Sequence, residues 1–487
     1  MCQGRAKGKA RATTNNLIDQ SSVLAPAAIT EQSGLERSAL FVATLTSFMG
    51  PFMISSVNVA LPAIQAELGL TAVELSWIAT SYLLAVAIVL LPAGKLADIH
   101  GRKKVFRLGL LVYTLASTAA AFATTTLWLL VLRGAQGVGA GMFITTGMAI
   151  LTSIFPPHKR GRAIGMYVAA VYIGLSVGPF AGGLLVQQLG WRSIFLLMLP
   201  LGAGSIAVTL RFLKGEWADD RPQRFDVTGC LIYTVAILTL IVGASSLPSA
   251  YGLALLTIGI AGLLLFFRHQ QHAVHPLFEV RLFSDNRTFT FSSLAALLNY
   301  SATFAVTFLM SLYLQYLKGL PPQRAGLLLI AQPLVMALFS PLAGRLSDRV
   351  EPRLLASIGM GITVAGMLIF TGLGYDTDLN TIVGNLLLLG FGFALFSSPN
   401  MSAIMGSVTK EHYGIASGTV ATMRLMGQMV SMAIATVVLA LLIGHQPIGP
   451  GNFDRFLDSI RLVFSISALL CAVGVAFSLF RGRLRQA

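Results

Sequence analysis

Gly94-Lys95-Leu96-Ala97-Asp98-Ile99-His100-Gly101-Arg102-Lys103-Lys104 is the densest group of charge in the first third of the chain, and it lies between two long apolar runs. A weaker copy returns as Gly344-Arg345-Leu346-Ser347-Asp348-Arg349-Val350-Glu351-Pro352-Arg353, again at the foot of an apolar run. A charged loop that recurs in the same setting points to an internal repeat of membrane helices.

Of the 487 residues 55% are apolar and only 11% charged, against roughly 25% charged in soluble domains. A soluble fold could not cover that much apolar surface, so the chain reads as a polytopic membrane protein. Runs long enough to cross about 30 Å of hydrocarbon as helix fall at 39–62, 73–93, 105–125, 127–154, 162–188, 193–213, 227–247, 250–267, 288–314, 325–346, 354–373, 381–407, 413–443 and 459–480. That makes fourteen. The polar, basic segment ahead of them lacks the apolar core of a signal peptide, and residues 1–38 are expected to form a disordered cytoplasmic tail.

The net charge of +15 is spread in short groups between the spans, which argues against nucleic acid as a partner. With the N-terminus inside, 27 of the 34 Lys and Arg fall in cytoplasmic segments and five outside, and Arg133 and Arg424 lie within spans. So lopsided a split puts both termini in the cytoplasm and requires an even number of spans. Cys2, Cys230 and Cys471 are scattered and imply no disulfide framework. No Gly-x-x-x-x-Gly-Lys-(Ser/Thr) loop occurs, so ATP is not expected as the direct energy source. His269, His272 and His275 follow one another at three-residue steps after the eighth span. A solvated loop is the expected setting, and neither a metal nor another cofactor is expected. All seven His lie in or near loops, which leaves a membrane enzyme without converging side chains.

The pattern Gly-x-Leu-x-Asp-x-x-Gly-Arg-(Arg/Lys)-(Arg/Lys) at Gly94, Asp98, Gly101 and Arg102 resembles the loop after the second helix in transporters of the major facilitator superfamily. Gly94 follows the second span and Gly344 the tenth, eight spans later rather than six. Two inserted spans therefore separate two six-span halves, at 39–213 and 288–480, with the insertion at 227–267. This layout resembles the fourteen-span drug:proton antiporter branch. The implied fold is all-α, and the implied activity is secondary-active export of drugs or other amphipathic small molecules by alternating access, coupled to protons, at the plasma membrane.

The resemblance extends to particular spans. Arg133-Gly134-Ala135-Gln136-Gly137-Val138-Gly139 is similar to the fourth-span signature Arg-x-x-Gln-Gly-x-Gly, whose Arg is linked to substrate or proton coupling. An intramembrane Arg is costly and should face a cavity or a partner. Gly174, Gly178 and Gly182 recur every fourth residue around Pro179, resembling the antiporter signature of the fifth span. They give one smooth helix face, and Pro179 allows a bend. Asp98, Arg102 and Asp348 are the gating charges that the resemblance implies. Asn58 and Gln136 from the first half, and Asn299, Tyr300, Asn400 and Arg424 from the second, are expected to line the substrate cavity. In one respect the sequence departs: Met53 stands where the family carries Asp, and none of the 19 Asp and Glu lies in the middle of a span. The cavity is therefore expected to be neutral to positive and to favour neutral or anionic amphiphiles. The departure also keeps open a dedicated exporter or facilitator of a metabolite, lipid or anion without proton coupling.

Overall fold

Each apolar run becomes helix in the computed structural model, which describes residues 26–213, 215–217, 225–274, 276–409, 413–444 and 446–482. The first six helices are α1 (Pro26–Leu68), α2 (Ala72–His100), α3 (Arg102–Ala120), α4 (Thr126–Ile154), α5 (Pro157–Leu189) and α6 (Arg192–Phe212). A hairpin of α7 (Val227–Ser245) and α8 (Ala250–His272) follows, then the single-turn α9 (Arg281–Asp285). The remainder is α10 (Arg287–Thr303), α11 (Ala305–Tyr316), α12 (Pro322–Leu329), α13 (Ala331–Ser347), α14 (Pro352–Thr371), α15 (Leu379–Gly406), α16 (Tyr413–Leu442) and α17 (Phe453–Phe480). The pairs α10–α11 and α12–α13 are each one broken span, the first interrupted near its middle and the second about a third of the way from its outer end.

Among the described residues thirteen helices are long and apolar enough to cross a membrane. The fourteenth span is α3. Its first six residues carry four basic side chains, yet it packs between α4 and α6 and turns Leu108, Leu111 and Leu115 outward as a lipid-facing stripe. One expectation is corrected: α1 begins at Pro26, so residues 26–38 extend the first helix rather than belonging to a disordered tail. Residues 1–25 lie outside the described residues.

Helix pairing follows the same plan twice. In the first half α1 packs on α5 and α6, α4 on α2 and α3, and α3 on α6; in the second α10 packs on α16 and α17, α15 on α13 and α14, and α14 on α17. Equivalent positions in the third helix of each half are 250 residues apart. Gly109 meets the Gly139 carbonyl where α3 crosses α4, and Gly359 meets that of Gly392 where α14 crosses α15; a Cβ on either would lie 2.8 Å and 2.6 Å from those oxygens. At the outer surface Arg192 Nη2 donates to the Ala123 carbonyl (3.1 Å) and Arg461 Nε to that of Leu373 (2.8 Å). At the cytoplasmic surface Lys103 Nζ donates to the Leu213 carbonyl and Arg353 Nη1 to that of Leu479. The repeat inferred from one loop thus spans both ends of the helix that follows it.

The α7–α8 hairpin lies beside α2 and α16, one from each half. Buried Tyr233 donates its hydroxyl to the Ala87 carbonyl of α2 (3.0 Å). Asp226 caps α7 through the Gly229 amide (2.8 Å) and also accepts from Gln270 Nε2 (2.8 Å) and meets His269 Nε2 (3.0 Å). Gln270 Oε1 in turn accepts the Leu277 and Phe278 amides, so one knot joins α7, α8 and the strand of chain leading to α10. Two of the three spaced histidines lie in the last turn of α8 rather than in the expected solvated loop: His269 faces Asp226, and His272 Nδ1 lies 2.9 Å from the Arg268 carbonyl. His275 lies outside the described residues.

Candidate functional site

The charged loop ties helices of the first half together. Arg102 Nε and Nη2 donate to Asp98 Oδ1 (3.0 and 2.8 Å), and Nη1 donates to Ser153 Oγ at the foot of α4 (2.6 Å). Gly101 holds φ +110°, and a Cβ there would lie 2.5 Å from the Glu216 side chain, so the turn from α2 to α3 requires glycine. Glu216 accepts the Lys103 amide (2.7 Å) and Trp217 the Arg102 amide (2.7 Å), placing a carboxylate on the N-terminus of α3. Gly94 sits 3.1 Å (as Cβ) from Thr145 on α4. In the second half Asp348 closes α13.

Arg133 is 1% exposed, about 10 Å inside the outer end of α4 at 1.5 Å per residue. Its guanidinium donates to the Ile78 carbonyl (3.1 Å) and to Gln136 Oε1, and lies 4.6 Å from the centroid of the Tyr82 ring. Gln136 Nε2 passes the chain on to Ser117 Oγ (2.7 Å). A carbonyl, an amide and an aromatic face thus do what a carboxylate would do. Arg133 and Gln136 lie inside the first half, between α2, α3 and α4, and not on a cavity wall.

Span five runs as one helix through Pro179. Gly174, Gly178 and Gly182 face α1, where Ser56 Oγ donates to the Gly178 carbonyl (2.8 Å). The next face of α5 meets the other half: a Cβ on Gly183 would stand 2.5 Å from the Pro322 carbonyl oxygen, and Gly326 presses against the Pro179 carbonyl. Other described hydrogen bonds between the halves also lie toward the outer ends. Ser311 Oγ donates to the Asn58 carbonyl (2.8 Å), Gln315 Nε2 to that of Val59 (3.1 Å), and Thr436 Oγ1 to Ser76 Oγ (2.9 Å). Gln65 accepts from the Tyr316 hydroxyl and donates to the Ile448 carbonyl (3.4 Å). The outer seam is closed, and Asn58 is part of it.

Below the seam, near the middle of the membrane, residues of both halves converge. Arg424 lies about 17 Å inside the cytoplasmic end of α16, within electrostatic reach of Tyr167 on α5 and Tyr300 on α10. Tyr172 stands beside Tyr300, whose ring meets Phe393 edge-on at 5.4 Å and whose hydroxyl faces Ser397. Arg424, Gln428, Tyr172, Tyr300 and Ser397 are all partly exposed. The break between α10 and α11 is close by, its Ala305 amide satisfied by Ser431 Oγ (3.0 Å).

Asn299 and Asn400, expected on the cavity wall, turn elsewhere. Asn299 is fully buried against Cys471 of α17, and Asn400 donates to the Ser292 carbonyl (3.0 Å) while accepting from Arg481 (2.8 Å). Both join helices of the second half, as polar residues in lipid often do. Tyr167 and Tyr172 were missed because five-residue spacing inside a Gly/Ala/Val run carries no motif; two hydroxyl-bearing rings in an otherwise apolar span were the available signal.

The family model for the Major Facilitator Superfamily matches residues 40–281 and 292–486. The chain belongs to that superfamily. It is a multi-pass membrane transporter, and its relatives agree. The riboflavin transporter RibZ of Clostridioides difficile is 30% identical over 91% of this chain and 96% of RibZ. The multidrug resistance protein Stp of Mycobacterium tuberculosis is 33% identical over 80% of this chain and 74% of Stp. A crystal structure of the peptide transporter POT with alafosfalin shares the fold at a TM-score of 0.69, with 14% identity over 94% of this chain and 99% of that one.

Proposed function

We propose that this transporter exports amphipathic small molecules, drugs among them, across the plasma membrane by alternating access and driven by proton influx. The observation that carries the reading is the closed outer seam above a partly exposed mid-membrane group drawn from both halves, the arrangement expected of a substrate site loaded from the cytoplasm. Similarity to Stp supports drugs as cargo. In this reading Asp98, Arg102 and Asp348, with the turns at Gly94 and Gly101, are the cytoplasmic gating elements, and Arg133 couples the packing of α2, α3 and α4 to their movement. Buried Met53 leaves no carboxylate at the first-span position, so Asp98 and Arg133 are the candidates for the coupled movement.

The test is proton flux in proteoliposomes under an imposed pH gradient, with amphiphiles added in turn. Substrate-dependent collapse of the gradient that is lost in Asp98→Asn supports the reading. Substrate movement without proton flux favours the second reading, a dedicated carrier of an endogenous metabolite or anion. That alternative draws on Met53 and on similarity to RibZ along nearly the full length.

A further inference from the structure

Arg424 is unlike the other intramembrane cation. Arg133 is enclosed and satisfied by the neutral groups of its own half, whereas Arg424 is partly exposed at the junction of the halves. Among the described residues no carboxylate pairs with it, and every Asp and Glu of the chain lies toward the end of a span or outside one. A guanidinium held near the bilayer midplane without a counter-charge is costly unless something supplies one. Tyr300 packs against the same stretch of α16: a Cβ on Gly427, three residues from Arg424, would lie 2.7 Å from the Tyr300 Cβ. Phe393 meets the Tyr300 ring edge-on and Tyr172 of the first half is its neighbour, whereas Tyr167 is buried with its hydroxyl donating to the Ile144 carbonyl (3.4 Å).

We infer that Arg424, with Tyr300 and Tyr172, forms an anion-selective substrate site for flat aromatic amphiphiles that carry a carboxylate or a comparable oxyanion. The guanidinium fork suits two parallel hydrogen bonds to a carboxylate, which a lysine cannot reproduce. The rings offer apolar area and hydroxyls for the attached aromatic system. The anion supplies a counter-charge that no described carboxylate provides, so the loaded site is neutral. The inference rests on reading the mid-membrane group as the substrate site.

Two dyes built on one xanthene ring separate charge from shape: anionic fluorescein and cationic rhodamine 6G. Binding to the purified full-length protein in nanodiscs is read by fluorescence anisotropy, with no gradient present. Fluorescein is expected to bind more tightly than rhodamine 6G, and Arg424→Gln to weaken it by roughly tenfold to hundredfold, the worth of a charge-assisted hydrogen-bonded pair. Arg424→Lys should retain part of the affinity and Tyr300→Ala should lose part of it, while rhodamine 6G binds no worse in Arg424→Gln. Lys keeps the charge in a similar volume, so its partial binding separates a lost contact from a misfolded protein. Tighter binding of rhodamine 6G, unchanged fluorescein binding in Arg424→Gln, or no binding of either dye overturns the inference. Arg424-dependent fluorescein binding without transport into vesicles would leave the site standing and remove the export reading. Transport of both dyes that ignores Arg424 would do the reverse.

Discussion

Gly183→Ala adds one methyl where the two halves touch. Its Cβ would lie 2.5 Å from the Pro322 carbonyl oxygen, 2.9 Å from that carbonyl carbon and 3.0 Å from the Gln323 Cα. Comfortable contact between such atoms begins near 3.5 Å, and all three neighbours are backbone, so no side chain can swing aside. The outer end of α12 must retreat by about 1 Å or the seam must open. Overpacking of this kind costs about 1–3 kcal/mol. That strain is present only in the outer-closed state, so it shifts the closed-to-open ratio roughly 5- to 150-fold. Spin labels at Leu189 and Asp376, exposed on the outer surface of opposite halves, would report the change as a larger long-distance population. The background would have Cys2, Cys230 and Cys471 replaced. Gly326→Ala, pressing on Pro179 from the other side, should act alike. Gly178→Ala crowds α1 within one half and should lower the melting temperature while leaving the distance distribution in place. Unchanged distributions in both Gly183→Ala and Gly326→Ala would refute the claim that these glycines seal the outer seam.

Gln65→Ala removes the acceptor of the Tyr316 hydroxyl and the donor to Ile448, about 0.5–1.5 kcal/mol for each bond; the same label pair should show more open protein. Arg133→Gln removes the added donor to the Ile78 carbonyl and the donor to Gln136 Oε1 and should lower the melting temperature by a loss of about 1–3 kcal/mol. Because the contacts of Arg133 lie inside the first half, maximal transport rate should fall while KM holds. Asp226→Ala removes the cap of α7 at about 1 kcal/mol and should raise maleimide labelling of Cys230, one turn further along. Burial would raise the Asp226 carboxyl, but the Gly229 amide, His269 and Gln270 outweigh it and hold it below the ordinary carboxylate value. The knot therefore stabilises the fold throughout the range above that ordinary value. In the wild type, the melting temperature should lose this contribution only as pH falls through the depressed folded value.

Span positions were readable because a helix in lipid must be apolar along its whole length, and the paired loops marked the repeat. What could not be read was which face of a span looks where. Asp98 and Arg102 sit one turn apart and announce their own pairing, but Ser153 and Glu216, which complete the tie, are 51 and 113 residues from their partners. Asn299 and Tyr300 are neighbours in sequence, yet one faces Cys471 inside the second half and the other faces Arg424 at the junction. Polar side chains glue helices together as readily as they line cavities, so residue type alone could not divide them.

The same uncertainty attached to the two intramembrane arginines, and their surroundings separate them. Both stand in spans that contain no mid-membrane acid, so sequence treats them alike. Arg133 has a carbonyl, an amide oxygen and a tyrosine face within its own half, contacts that survive if the two halves rock as rigid bodies. Arg424 has neighbours on both halves: Tyr167 from the first and Tyr300 from the second. Rocking must change its surroundings in every cycle. A charge whose environment alters with the opening of the seam can respond to a ligand, because a ligand shifts an equilibrium only through contacts that differ between the states. Arg133 has contacts within its own half alone; in the site proposed above, Arg424 is the group whose contacts with the cargo would differ between the states.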